Sequence, residues 1–155
     1  MAGQEKTIKK PVVLITGGSS GIGAATAAAL LARGCTVYEV SRHPAEGGAS
    51  GPIHLTGDVT DPDSLTAAVD ALLAREGRLD ILINNAGFGI SGSAEHTAPA
   101  DAERQMAVNF LGCAAMCRAC LPALRQSRGR IVNLSSVAAV VPIPFQAFYS
   151  ASKAA

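Results

Sequence analysis

A run of β-formers, Val12-Val13-Leu14-Ile15-Thr16, breaks into Gly17-Gly18-Ser19-Ser20-Gly21-Ile22-Gly23 and then continues as an alanine-rich stretch to Ala32. Few short segments restrict a fold as strongly. The glycines permit a tight turn and a close approach of backbone to a ligand. A helix that begins there aims unpaired N–H groups and positive potential at whatever the loop encloses. Strand, glycine loop and helix in this order predict dinucleotide binding, with Thr16, Gly17, Ser19, Ser20, Gly21, Ile22 and Gly23 around a pyrophosphate. The alternative is a glycine-rich turn that holds nothing.

The rest of the chain repeats the alternation. Strands are expected at Thr36–Val40, Ile53–Thr56, Leu79–Ile83 and Ile131–Leu134. Helices are expected from Asp61 to about Arg75, with Pro62 in the first turn, from about Ala100 to Arg125, and after Pro142 or Pro144 to the end. His43 to Pro52 reads as a loop. Strand–helix–strand units of this spacing imply an α/β fold, a doubly wound parallel sheet of the Rossmann type. With 48% hydrophobic and 16% charged residues, disorder is excluded and a sheet buried on both faces is favoured. Residues 1–155 read as a single domain, with 1–10 a polar lead-in rather than a signal peptide. That points to reduced thiols and a cytoplasmic location. A net charge of +1 without a basic run argues against nucleic acid or an anionic membrane as partner. Ile131 to Ser152 lacks charge, but Asn133, Ser135, Pro142, Pro144 and Gln146 interrupt it, so no membrane span is assigned.

The residues after the second strand should choose the cofactor. An acidic group there would hydrogen-bond a ribose 2′-hydroxyl, whereas arginine suits a 2′-phosphate. The chain carries Ser41-Arg42 with His43 beside them. Glu39 competes, but it lies two residues early, inside the strand. The expectation is NADP, with NAD possible and Arg42 as a solvated loop residue the bland reading.

Near the end, Tyr149 and Lys153 stand four residues apart on a helix, one above the other. An ammonium beside a phenol favours the phenolate, and this turns a tyrosine into a usable general acid or base. Cys113, Cys117 and Cys120 share a helical face and read as packing thiols, because zinc sites space their ligands around a tight turn. His43, His54 and His96 have no ligand spacing, and no metal is expected.

Taken together, these residues resemble the short-chain dehydrogenase/reductase family. The matches are T-G-x-x-x-G-I-G at Thr16 to Gly23, Asp58-Val59, Asn84-Asn85-Ala86-Gly87, Asn109, Ser135-Ser136, and Tyr149 with Lys153, all in family order. The resemblance implies an oxidoreductase that moves a hydride between a nicotinamide cofactor and a carbonyl or secondary alcohol. In that reading Tyr149 exchanges the proton, and Lys153 tunes it and holds the nicotinamide ribose. Ser136, thirteen residues before Tyr149 as in the family, bonds the substrate oxygen. Asn109 positions water in a proton relay. Asp58 and Val59 border the adenine, and Asn85, Ala86 and Gly87 line the cofactor cleft. Asp58 has a second reading as a cap of the next helix, and Asn84 to Gly87 as a strand-ending turn. Apolar residues around Phe88 and Phe145 resemble hydroxysteroid- and retinol-type members, while a small ketone, a sugar or an acyl thioester stays open. Family members continue past the Tyr–Lys helix, so the resemblance implies an N-terminal portion of a homo-oligomeric enzyme, dimer or tetramer. The competing class is a catalytically silent dinucleotide-binding module or inactive fragment.

Overall fold

The computed structural model describes residues 10–44 and 51–155. The lead-in before Lys10 and the centre of the loop expected between His43 and Pro52 lie outside the described residues. Five strands, β1 (Val12–Thr16), β2 (Thr36–Ser41), β3 (Ile53–Thr56), β4 (Ile81–Asn84) and β5 (Arg130–Asn133), form one parallel sheet in the order β3-β2-β1-β4-β5. β1 is central, bonded to β2 on one side and β4 on the other, and buried at every position. A strand covered on both faces has no use for polar alternation, hence its unbroken apolar run.

Helices α1 (Gly21–Ala32), α2 (Pro62–Glu76), α3 (Pro99–Met106), α4 (Gly112–Ser127) and α5 (Ala147–Ala154) connect or follow the strands. On one face Leu14, Tyr38 and Leu82 of the sheet pack against Leu65 and Leu72 of α2 and Met116 and Cys120 of α4. On the other, Val13, Ile15, Val37 and Ile83 meet Ala27 of α1. Asp61 caps α2 by accepting from the N–H groups of Asp63 and Ser64, and Gly77, at φ 67°, ends it in the left-handed conformation.

Boundaries moved by a residue or two. β4 begins at Ile81, not Leu79; just before it, the Asp80 carboxylate accepts from the Val12 N–H at 2.8 Å and from Arg78. The long helical region runs without a break from Pro99 to Ser127, through a π-helical turn at Ala107–Leu111 that joins α3 to α4. With a mean hydropathy of 1.5 over one window, this helix is long and apolar enough to cross a membrane by composition. Met116, Cys120 and Leu124 instead bury one side of it in the core. β5 is exposed at all four positions, Ile131 and Val132 included.

Candidate active site

A cleft of about 1000 Å³ lies across the carboxyl ends of β1 and β4, where the strand order reverses. One wall is the glycine loop. Gly17 and Gly21 take φ of +66° and +53°, values that glycine adopts without strain. At Gly23 the loop has no slack. A Cβ there would lie 2.1 Å from the Gly17 carbonyl oxygen and 2.5 Å from Asn85 Nδ2. No side chain caps α1 and its first turn holds no acid, so its leading N–H groups are available to an anion. These features fit a pyrophosphate.

Gly17, Ser19, Ser20, Gly21 and Ile22 face the cleft, whereas Thr16 and Gly23 work from behind it. Thr16 is buried, and its Oγ1 accepts from the N–H groups of Asn85 and Ala86 at 3.1 and 3.0 Å. Asn85 returns the contact, donating Nδ2 to the carbonyls of Thr16 and Gly17, both at 3.0 Å. The glycine loop and the Asn85–Gly87 turn are thus one knitted unit.

At the far end, Ser41, Arg42, His43, Asp58 and Val59 line the cleft. Glu39 does not: it is buried inside β2, with its carboxylate against His54 Nδ1. Asp58 leaves the capping of α2 to Asp61. Its Oδ1 accepts from the N–H and hydroxyl of Thr60 at 2.9 and 2.7 Å. Those bonds, with Arg42 and Arg104 nearby, hold its carboxyl below the usual carboxylate range.

The opposite wall carries α5. Tyr149 and Lys153 line the cleft one turn apart, and Lys153 Nζ donates to the Leu134 carbonyl at 2.9 Å. A Cβ at Gly89 would rest 3.4 Å from the Tyr149 ring. One at Gly87 would meet Asn109 Oδ1 at 3.0 Å and Lys153 Nζ at 3.3 Å. The glycines of this loop therefore let the backbone pass between the Tyr149–Lys153 pair and Asn109.

Asn109 itself is buried in the π-helical turn behind the cleft. Its Oδ1 accepts from the Phe88 N–H at 2.9 Å, and its Nδ2 donates to the Phe88 carbonyl at 2.8 Å and to Ser152 Oγ at 2.9 Å. Ser135 and Ser136 divide differently. Ser135 lines the cleft and donates its proton to the Lys153 carbonyl at 2.8 Å. Ser136 does not line the cleft; it caps the short 3₁₀ turn Val137–Ala139, where its oxygen accepts from the Ala138 N–H.

Three participants were not singled out from sequence. Gln105, wholly buried, donates to the same Phe88 carbonyl at 3.1 Å. It stands one turn before Asn109 on the same helix face, and that spacing is the signal that could have found it. Arg104 lies 5.3 Å from the Phe88 ring centroid and lines the cleft. Ser152 ties α5 to Asn109. Among the described residues no group of His, Cys, Asp or Glu is arranged to hold a metal ion. Cys113, Cys117 and Cys120 are free thiols. Burial pushes Cys113 up to about 11 and Cys120 up to about 12.

Comparison with known proteins agrees with this geometry. The family described as short chain dehydrogenase matches residues 11–155. A 3-ketodihydrosphingosine reductase from Bacteroides thetaiotaomicron is 46% identical over 144 residues, covering 92% of this chain and 53% of that protein. L-fucose dehydrogenase from Mus musculus is 37% identical over 150 residues, 93% of this chain and 55% of the relative. Among solved structures, ligand-free aldohexose dehydrogenase from Thermoplasma acidophilum superposes with a TM-score of 0.89 at 32% identity, covering 94% of this chain and 57% of that one. ElxO, solved with NADP bound, gives 0.87 at 28% identity, with 94% and 63% covered. The chain spans about half the length of the curated relatives it matches.

Proposed function

The chain belongs to the short-chain dehydrogenase family, and from that premise we propose that it carries the cofactor site and proton-transfer groups of an NADP-dependent oxidoreductase acting on a carbonyl or secondary alcohol. One observation supports the reading above the others: Tyr149 and Lys153 stand on the same cleft as the glycine loop, with the Gly87–Gly89 backbone threaded between them and Asn109. A loop that only held nucleotide would have no use for that pairing.

The nicotinamide cofactor supplies or accepts the hydride when bound. The chain's own groups do the rest. Tyr149 gives its phenolic proton to the carbonyl oxygen during reduction and takes it back during oxidation. Ser136, from its cap on Val137–Ala139, donates to the same oxygen and stabilises the negative charge that develops there. Ser135 is the poorer candidate, because its proton already serves the Lys153 carbonyl. Lys153 holds the nicotinamide ribose. Asn109 keeps Phe88 and Ser152 in place and positions water leading to Lys153. Asp58 and Val59 border the adenine, Asn85, Ala86 and Gly87 wall the cofactor, and Arg42, next to Ser41 on the cleft wall, meets the 2′-phosphate.

Phe88, Val108 and Leu134 line the cleft, and Phe145, Val140 and Val141 are exposed outside its lining on the segment leading into α5. They support an apolar carbonyl substrate, and the 46% identical relative carries a keto lipid in its name. Exposed Phe110 and Leu111 on the long helix support a homo-oligomer. The second reading, a silent nucleotide-binding module, would need only the glycine loop and the uncapped start of α1.

Tyr149→Phe separates the two. On a preparation that oxidises NADPH with a carbonyl, the enzyme reading predicts turnover reduced about 10³-fold, with NADPH affinity kept within roughly twofold because the phenyl ring stays in place. Full turnover in the variant would remove Tyr149 from the mechanism.

A further inference from the structure

The edge of the sheet beneath the Ser41–His43 turn carries four polar side chains on one face: Glu39 and Ser41 from β2, His54 and Thr56 from β3. In the parallel register Glu39 pairs with His54 and Ser41 with Thr56. Glu39 Oε1 contacts His54 Nδ1, and His54 Nε2 lies 3.1 Å from Thr56 Oγ1. The single Ser41 hydroxyl proton is shared between the His43 carbonyl at 2.6 Å and Glu39 Oε1 at 3.2 Å.

Glu39 is 1% exposed, and its second oxygen, Oε2, is buried with no hydrogen-bond partner among the described residues. A buried carboxylate with an orphaned oxygen is costly, and a leucine of similar size would fill the space without that cost. Its location gives a reason to keep it. A Cβ built at Gly18 would strike Glu39 Cβ at 2.5 Å, so the side chain lies directly against the glycine loop. On its other side it reaches Ser41, whose hydroxyl closes a ring onto the His43 carbonyl with Arg42 inside. The backbone at Arg42 is pinned by that ring, and this fixes where its guanidinium leaves the strand.

We propose that Glu39, which cannot touch the cofactor, is the positioning residue for its 2′-group preference, acting through Ser41 on the Ser41–Arg42–His43 turn. The inference rests on the reading of Arg42 as the 2′-phosphate contact. It differs from the acidic residue expected at a ribose 2′-hydroxyl, because here the acid lies below the turn and sets an arginine rather than meeting the sugar.

The test is a fluorescence titration of the chain with NADPH and with NADH, read as the ratio of the two dissociation constants, with a melting temperature for each variant. Glu39→Leu and Ser41→Ala should each reduce the NADPH preference about tenfold, the effect of one lost hydrogen bond to a charged group. Glu39→Gln, which keeps an acceptor for His54 and Ser41, should hold the ratio within about twofold. Glu39→Leu combined with Ser41→Ala should do no more than either alone, since both act through one contact. A purely structural role would weaken both cofactors equally and leave the ratio fixed. An unchanged ratio in Ser41→Ala overturns the proposal even where Glu39→Leu does not fold, and so do additive effects. Arg42→Ala is the control for the underlying reading: if it leaves the preference intact, or if the parent chain binds neither cofactor, that reading fails first and this one with it.

Discussion

The two walls of the cleft are built by opposite means. The glycine-loop wall grows from β1, buried at every position and bonded on both sides, and its turns interlock through Thr16, Asn85 and Gly23 with no space between atoms. The Tyr149 wall stands beside β5, which is exposed along its length, and it is held by side-chain bonds from Asn109, Ser135 and Lys153. One wall is made of backbone and core; the other is tied on by polar contacts. On the proposed function, phosphate recognition would rest on shape that the fold imposes, and proton transfer on a few side chains whose placement depends on one another.

The sharpest way to break this comparison is to add the same methyl group to each wall. Gly23→Ala drives a Cβ into the Gly17 carbonyl and Asn85, and should weaken NADPH binding more than about 100-fold, even though alanine is otherwise the better helix residue by about 1 kcal/mol. Gly89→Ala places its methyl in ordinary contact with the Tyr149 ring and should change NADPH affinity by less than about threefold. Equal losses would show that the two walls share one tolerance.

A smaller effect sharpens it at the level of stability. Val13→Ala empties a fully buried site on β1 and should cost about 2 kcal/mol in chemical denaturation. Val132→Ala, on a half-exposed position of β5, should cost no more than about 0.5 kcal/mol. If Val132 proved as costly as Val13, β5 would be far better covered in solution than its exposure implies.

The smallest effect lies at Asp58. Its carboxyl is held low chiefly by the Thr60 N–H and hydroxyl. A depressed carboxylate contributes stability that is present above its unfolded pKa, about 3.9, and is lost as the pH falls through the lower folded value. The melting temperature should therefore drop below about pH 4, and Asp58→Asn should lose part of that acid dependence, a difference of no more than about 4 °C. Indistinguishable pH profiles would mean that the Thr60 contact contributes nothing to the folded state.

Most of the sheet could be read from the sequence because buried parallel strands leave an unbroken apolar run, as at Val12–Thr16, and because proline and aspartate mark the start of α2. The glycine loop was legible for the same reason: its shape is local, carried by glycines between a strand and a helix. What escaped detection depends on pairing between distant segments. Nothing local in β2 or β3 says that Glu39 will face His54, since that follows from a register between strands. The Phe88 backbone, bonded by Asn109 and Gln105 from a distant helix, is invisible for the same reason. Spacing alone likewise did not show that Ser135 would reach the Lys153 carbonyl from the cleft while Ser136 capped a short turn outside its lining.

The central place of β1 has a consequence in time. To free the loop that follows it, the sheet must part on two sides at once, so that loop lasts as long as the whole domain stays folded. α5 is tied by side chains to the long helix and to the segment after β5, and answers to smaller, local openings. The cleft has one wall that persists and one that breathes, and a ligand gripping both would lend its stability almost entirely to the second.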